Sequence, residues 1–269
     1  MRLLFWNVNK RDLTDLICAI VAERDVDAVV LVEALTSSEG KTLSGLHSQV
    51  SHDFRWIPSV RNRFCVFSRN PSLNLDEFHS GFRTSVRDLR LGGDRLMLAL
   101  IHGYDLRNYD AEARQEGART IMEELRVVES NSGVDRFVLL GDFNMNPFDR
   151  PMNLASIYNS VMTRSCAERG QRTKNGQAFP LYYNPMWSLF GDNTDGPAGT
   201  IYDTSDQGPY GWSMFDQILL RHSTINYFKE VHILRNAGLA SLQTNLGRPD
   251  QTNASNHFPI LVTLCEMNQ

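Results

Sequence analysis

Apolar positions fall into two textures along the chain: short unbroken runs, and stretches in which they recur every three or four residues. RLLFWNVN (2–9) is of the first kind and predicts a strand buried on both faces. DLTDLICAIVAER follows, with Leu13, Leu16, Ile17, Ile20 and Val21 at helical spacing, and DAVVLVEA (27–34) predicts a second buried strand. The unit recurs. RLMLALIHGYD (95–105) predicts a strand, residues 110–129 place Ala118, Ile121, Met122, Leu125 and Val128 on one helical face, and RFVLLGDFN (136–144) predicts another strand. Strand-helix-strand units of this length make right-handed crossovers between parallel strands, so both carboxyl ends emerge at one edge of the sheet.

Between the units, FRWIPSV, RFCVFSR, FRTSVRDLRL and RLMLAL predict successive strands, a meander with NPSLNLDE and GGD as its turns. Residues 164–213 keep no period and are rich in Gly, Asn, Asp, Pro, Tyr and Trp, which predicts a long set of ordered loops. WSMFDQILL (212–220) and HFPILVTL (257–264) return to strand. No Pro/Ser/Gly linker or charge block divides the sequence, so one domain over residues 1–269 is expected.

With 42% hydrophobic and 22% charged residues, the 269-residue chain has the makeup of a soluble globular protein with a substantial core. A formal net charge of -4 rules out a global cationic field for nucleic acid. Locally the balance reverses: Arg55, Arg61, Arg63, Arg69, Arg83, Arg87, Arg90 and Arg95 stand against Asp76, Glu77, Asp88 and Asp94. That stretch suits a phosphate-contacting face and a solvated strand face equally well. Cys18, Cys65, Cys166 and Cys265 are scattered without metal-ligand spacing, most of them expected as reduced core thiols. Asn7, Asn9 and Lys10 end the first apolar run too soon for a secretory leader, and no run approaches a membrane span, so a cytoplasmic protein is expected.

The polar residues worth attention sit where buried strands stop. Asn7 follows LLFW, Glu33 follows VVLV, His102 follows LALI, and Asp142 and Asn144 follow FVLL, which points to a common polar cleft at the sheet's edge. Asp and Asn are common turn formers, yet a pair two apart in extended chain faces one side and reaches one ligand. An acid ending VVLV faces a desolvation cost unless a cation or hydrogen bonds offset it. Together with Asn7, Glu33 offers the oxygen ligands that Mg²⁺ or Mn²⁺ prefers. His257 opens the last strand in ASNHFPILV and needs a carboxylate on its other ring nitrogen; Asp216, inside the apolar run MFDQILL, is the natural candidate. Tyr182, Tyr183, Trp187 and Trp212 serve either to stack bases or cover a sugar, or as a hydrophobic plug under a loop.

The ordered set WN, E after a buried strand, H after another, GDFN, FDQILL and SNHFP resembles the endonuclease/exonuclease/phosphatase superfamily across residues 1–265. The resemblance implies an α+β fold like that of deoxyribonuclease I, a four-layer α/β/β/α sandwich of two packed mixed β-sheets flanked by helices. It implies a divalent-metal-dependent phosphodiester hydrolase using Mg²⁺ or Mn²⁺, foremost a nuclease with nucleic acid as substrate. The alternatives are a phosphatase or phosphodiesterase on a small or lipid-linked phosphoester, and a catalytically weakened binding member. In such enzymes the counterparts of Asn7 and Glu33 bind or orient the metal, and those of Asp142 and Asn144 sit against the scissile phosphate and position the water. The His102 counterpart contacts the phosphate or assists proton transfer. That of His257, oriented by the acid matching Asp216, is the general base or a phosphate-binding histidine. One departure stands out: the family usually has Ser-Asp-His where this chain has Ser255-Asn256-His257. Asn256 keeps an oxygen ligand but loses a charge, which weakens a metal contact there. Arg61, Arg63, Tyr183, Trp187 and Trp212 are the expected substrate contacts.

Overall fold

The computed structural model describes residues 1–193, 195–203 and 211–266. Both strand-helix-strand units form, with β1 (Arg2–Asn7), α1 (Thr14–Arg24) and β2 (Ala28–Val32) in the first. The second comprises β7 (Asp94–His102), α3 (Ala111–Ser132) and β8 (Phe137–Asp142). β1 pairs parallel with β2, and β7 with β8. The units belong to different sheets, however. A six-stranded sheet runs Phe228–Ile233, Ile260–Leu264, β1, β2, β4 (Phe64–Ser68), β3 (Arg55–Ile57). A seven-stranded sheet runs β5 (Asn74–Ser80), β6 (Thr84–Leu91), β7, β8, Asp216–Arg221, Tyr182–Tyr183, β9 (Ser160–Val161).

Side-chain alternation turns these strands into layers, because residues two apart share a face. Leu3 and Phe5, Val30 and Val32, Leu98 and Leu100, Val138 and Leu140, Ile218 and Leu220, and Ile260 and Val262 meet in one core between the sheets. Their neighbours face outward: Leu4, Trp6, Val29 and Leu31 pack under α1, while Met97, Ala99, Leu139 and Leu219 pack under the apolar stripe Ala118, Ile121, Met122, Leu125 and Val128 of α3. Strands covered on both faces read as unbroken apolar runs. The result is helix, sheet, sheet, helix, the four-layer α+β sandwich expected from the resemblance.

Several sequence expectations need correction. The meander is split, since β3 and β4 close the first sheet whereas β5, β6 and β7 begin the second. NPSLNLDE is not a turn: it holds a 3-10 turn, Pro71–Leu73, and the start of β5. A helix over Glu39–Gln49 (α2) has no strong apolar stripe, only Thr42 and Leu46 being buried, and its Gly45 lies against Thr14 and Cys18 of α1. The segment 164–213 is more than loops: it contributes Tyr182–Tyr183 to the second sheet, paired with Tyr183↔Leu220, and a separate hairpin of Gln171–Lys174 with Gln177–Pro180. Residues 194 and 204–210 of that segment lie outside the described residues. Of the four free cysteines, Cys18 and Cys65 are buried as expected, but Cys166 is half-buried and Cys265 exposed. No helix among the described residues is long and apolar enough to cross a membrane.

Candidate active site

The face each strand gives to the inter-sheet core also aims its last residue. Asn7 continues the row Leu3, Phe5; His102 continues Leu98, Leu100; Asp142 continues Val138, Leu140; Asp216 leads into Ile218, Leu220. All four therefore point between the sheets at the end where the core runs out, and all are at least nine-tenths buried. Glu33 has the wrong parity, following inward-facing Val32. Its backbone departs from the strand with φ 52, so the carboxylate turns back toward the same place. Asn144 likewise has φ 53 rather than the extended conformation its spacing from Asp142 suggested. Positive φ on non-glycine residues is strained, and here it re-aims two polar side chains. Close approach does the rest: a Cβ on Gly141 would lie 1.9 Å from the Ile101 carbonyl oxygen, and one on Gly103 2.2 Å from that of Phe143.

Asn7 links the two sheets, its Nδ2 donating to Glu33 Oε1 (3.2 Å) and Asp142 Oδ2 (3.0 Å). Asp142 Oδ1 accepts from the Asn144 backbone N–H at 2.9 Å, so the motif Asp142-Phe143-Asn144 both turns the chain and presents its acid to the cluster. The Arg114 guanidinium holds the Asn144 carbonyl from behind, and the Gln217 amide donates to the Met145 carbonyl at 2.5 Å. His257 reaches the site because its segment is bound to β1. Trp6 Nε1 donates to the His257 carbonyl (2.8 Å) and the Ser255 hydroxyl to the Asn7 carbonyl (2.6 Å). Its Nδ1 lies 2.8 Å from Asp216 Oδ2, leaving Nε2 4.0 Å from Asp142 Oδ2. His102 Nε2 sits 3.4 Å from Glu33 Oε1.

Electrostatics follow from this crowding of buried charge. Hydrogen bonding to His102 draws the Glu33 carboxyl down to about 2, against the opposing effect of burial, with help from Asn7 and the His257 charge. Burial alone would lower His257, but the Asp216 charge and hydrogen bond, with Asp142 and Glu33 beyond them, lift it to about 9. Burial raises Asp216, against the lowering effect of the His257 charge and hydrogen bond. Asp142, Asp216 and His257 offer ligand atoms within 4.8 Å of one another. Two of those atoms are already bound to each other, which makes Asp216–His257 an oriented acid–imidazole pair. The oxygens of Glu33 and Asp142 match a hard divalent cation, whereas Asn7, expected as a ligand, spaces them through Nδ2 while its Oδ1 accepts from the Asn9 N–H at 3.0 Å.

The cluster forms the floor of a cavity of about 690 Å³ whose lining includes Glu33, His102, Asp142, Asn144, Asn256 and His257. Arg61, Arg63, Arg83, Arg107 and Lys10 also line it, with Phe82 between the arginines. Arg61 and Arg63 were expected there; Phe82, Arg83, Arg107 and Lys10 were not, although Arg83 belongs to the arginine-rich stretch. Elsewhere that stretch is structural: Arg87 is buried against Glu77 (3.6 Å), and Arg90 and Arg95 pair with Asp88. The expected aromatic contacts are corrected. Tyr183 lies in the inter-sheet core with its ring edge-on to Phe228, because strand pairing draws it inside. Trp212 stacks on Phe258 and borders a different cavity, and Trp187, in the 3-10 turn Pro185–Leu189, is not part of the cavity lining. Thr200, which sequence patterning did not single out, accepts from the backbone N–H of Asp216 at 3.1 Å and fixes that strand end.

A model of the Endonuclease/Exonuclease/phosphatase family matches residues 4–241. Comparison with curated protein sequences finds no match. Among solved structures, a mannosyl-6-phosphatase from Bacteroides thetaiotaomicron VPI-5482 superposes with TM-score 0.62 at 13% identity, covering 98% of this chain and 99% of that one. Truncated TDP2 from Caenorhabditis elegans gives TM-score 0.56 at 15% identity over 98% of this chain and 96% of the other. The endonuclease domain of TRAS1, a telomere-specific non-LTR retrotransposon, gives 0.53 at 13% identity over 99% of both. At these identities the likeness is one of fold.

Proposed function

The chain belongs to the endonuclease/exonuclease/phosphatase family, whose members are hydrolases of phosphoester bonds, and on that premise we propose that it is a divalent-cation-dependent phosphodiesterase acting on nucleic acid. The observation that carries this reading is the meeting of Glu33, Asp142 and His257 on the floor of one cavity, with Asn7 and Asp216 bound to them and Lys10, Arg61, Arg63 and Arg83 on its walls. Phosphodiesters resist hydrolysis because attack builds negative charge on non-bridging and leaving oxygens. Arg63 and the Asn144 amide are donors available at the cavity wall for those oxygens, with His102 bridging Arg63 to Glu33. Asp216 holds His257 through Nδ1, so Nε2 faces the cavity beside Asp142 Oδ2; the protonated imidazole donates from Nε2 to the substrate phosphate, and the attacking water gives up its proton to Asp142 Oδ2. Glu33 and Asp142, positioned by the Asn7 amide, would hold Mg²⁺ or Mn²⁺, with Asn256 on the same wall; such an ion supplies Lewis-acid neutralisation of the developing charge.

A small phosphomonoester is the second reading. The cavity volume suits a sugar phosphate, and one structural neighbour is a sugar phosphatase. A substrate panel with Mg²⁺ and Mn²⁺ separates them. Cleavage of plasmid or oligonucleotide that disappears with EDTA and in His257→Ala is expected; phosphate release from monoesters without nicking would overturn the nuclease assignment.

A further inference from the structure

Cations and acids share the cavity wall, where Glu33, Asp105 and Asp203 stand beside Arg63 and Arg83. Arg83 is only 8% exposed, yet it donates Nη1 to the Gly103 carbonyl (3.0 Å), lies over the Tyr104 ring (4.4 Å to the centroid) and leaves Nε unpartnered. Arg63 donates Nε to the Phe82 carbonyl (2.9 Å) and brings Nη1 within 3.4 Å of His102 Nδ1. Neither forms an ion pair among the described residues. Burial and the nearby Arg83 charge lower the Arg63 pKa, against the opposing pull of Glu33, Tyr104 and Tyr109. Arg87 of the same stretch, by contrast, is buried against Glu77. Buried Arg83 and half-buried Arg63, both open to the cavity, are stabilised by an anion arriving from solvent.

The second observation is Phe82. It sits in the turn between β5 and β6, 57% exposed, with the guanidinium carbons of Arg63, Arg83 and Arg61 at 5.3, 5.6 and 6.0 Å from its ring centroid. A large apolar ring held in water among cations, at the wall of a cavity, is a platform for a flat partner that brings a phosphate with it. Contacts run from it to the cluster without a gap, through Arg63, His102 and Glu33.

We propose that Arg63, Arg83 and Phe82 form a subsite for the nucleotide adjoining the scissile bond: the guanidinium pair takes its phosphate, and the Phe82 ring stacks on its unpaired base. This rests on the phosphodiesterase reading above and narrows its substrate to single-stranded polynucleotide. Inside a duplex both faces of a base are covered by its neighbours, whereas an unpaired base offers a face to an aromatic side chain.

The test uses three substrates with Mg²⁺: an oligothymidylate, an oligomer of the same length with abasic sugars, and a duplex of matched length. Wild-type kcat/KM is expected to favour oligothymidylate over the abasic oligomer by roughly five- to a hundredfold. Phe82→Ala is expected to collapse that ratio toward one, and Phe82→Trp to preserve it; the exposed position lets both variants fold, which a melting curve checks. A wild-type ratio near one, equal cleavage of duplex and single strand, or a ratio untouched by Phe82→Ala would overturn the subsite while leaving the phosphodiesterase reading in place. Failure to cleave any of the three removes that reading itself, and the subsite with it.

Discussion

Replacing Asp216 with asparagine keeps the side chain's shape and removes the charge facing His257 across 2.8 Å. Both groups are buried, so water does not screen their interaction. The folded-state value of about 9 for His257 lies above the roughly 6.5 of an unfolded chain, so the protonated imidazole contributes stability that is complete below about pH 6.5 and is lost as pH rises through about 9. That gap corresponds to at most about 3 kcal/mol. In Asp216→Asn burial still lowers His257 while only Asp142 and Glu33 remain to raise it, so we expect the pH-dependent loss to shrink by about 1–2 kcal/mol. Urea unfolding of EDTA-treated protein at intervals from pH 6 to 9.5 measures this directly. The variant should be markedly less stable at pH 6, with the difference narrowing toward pH 9.5, and an NMR titration should place its His257 below the wild-type value. Parallel stability profiles in the two proteins would refute the electrostatic reasoning.

Glu33, held down to about 2 mainly by its hydrogen bond to His102, contributes stability present above about pH 4.5 and lost as pH falls through about 2. Glu33→Gln should therefore flatten acid unfolding of the metal-free protein over that window, followed by circular dichroism, and abolish Mn²⁺ binding in calorimetry. Asn144→Gly supplies a residue at ease with φ 53 but removes the amide; turnover should drop by roughly 10²–10³-fold with melting unchanged within a few degrees. Tyr183→Ala should cost roughly 3–5 kcal/mol in chemical unfolding because the ring lies in the inter-sheet core, while Tyr183→Phe stays near neutral and keeps turnover. Asn256→Asp adds a carboxylate at the cavity and should tighten Mn²⁺ binding; an inert wild type made active by that change would instead identify a weakened binding member.

What local pattern determines was legible in the residues themselves. Apolar runs with no polar interruption specify strands covered on both faces, the spacing in α1 and α3 specifies the helices that cover them, and the polar residues that end those runs gather at the candidate site. Even the inward aim of Asn7, His102 and Asp142 is a matter of counting by two from Leu3, Leu98 and Val138. The chain order of Asn7, Glu33, Asp142, Asp216 and His257 carried the family because each is tied to one strand end.

Only the tertiary structure decided the rest. Pattern cannot say which sheet a strand joins, so a cleft foreseen at one sheet's edge became the gap between two, bridged by Asn7 to Asp142. Glu33 and Asn144 reach it by left-handed backbone that strand periodicity does not encode. Tyr183 falls in a stretch without period and Phe82 at the start of the predicted strand FRTSVRDLRL, yet long-range pairing with Leu220 takes the first into the core, and a turn beside Arg63 leaves the second in water. Burial of a side chain is settled by what packs over it, and that partner lies far away in the sequence.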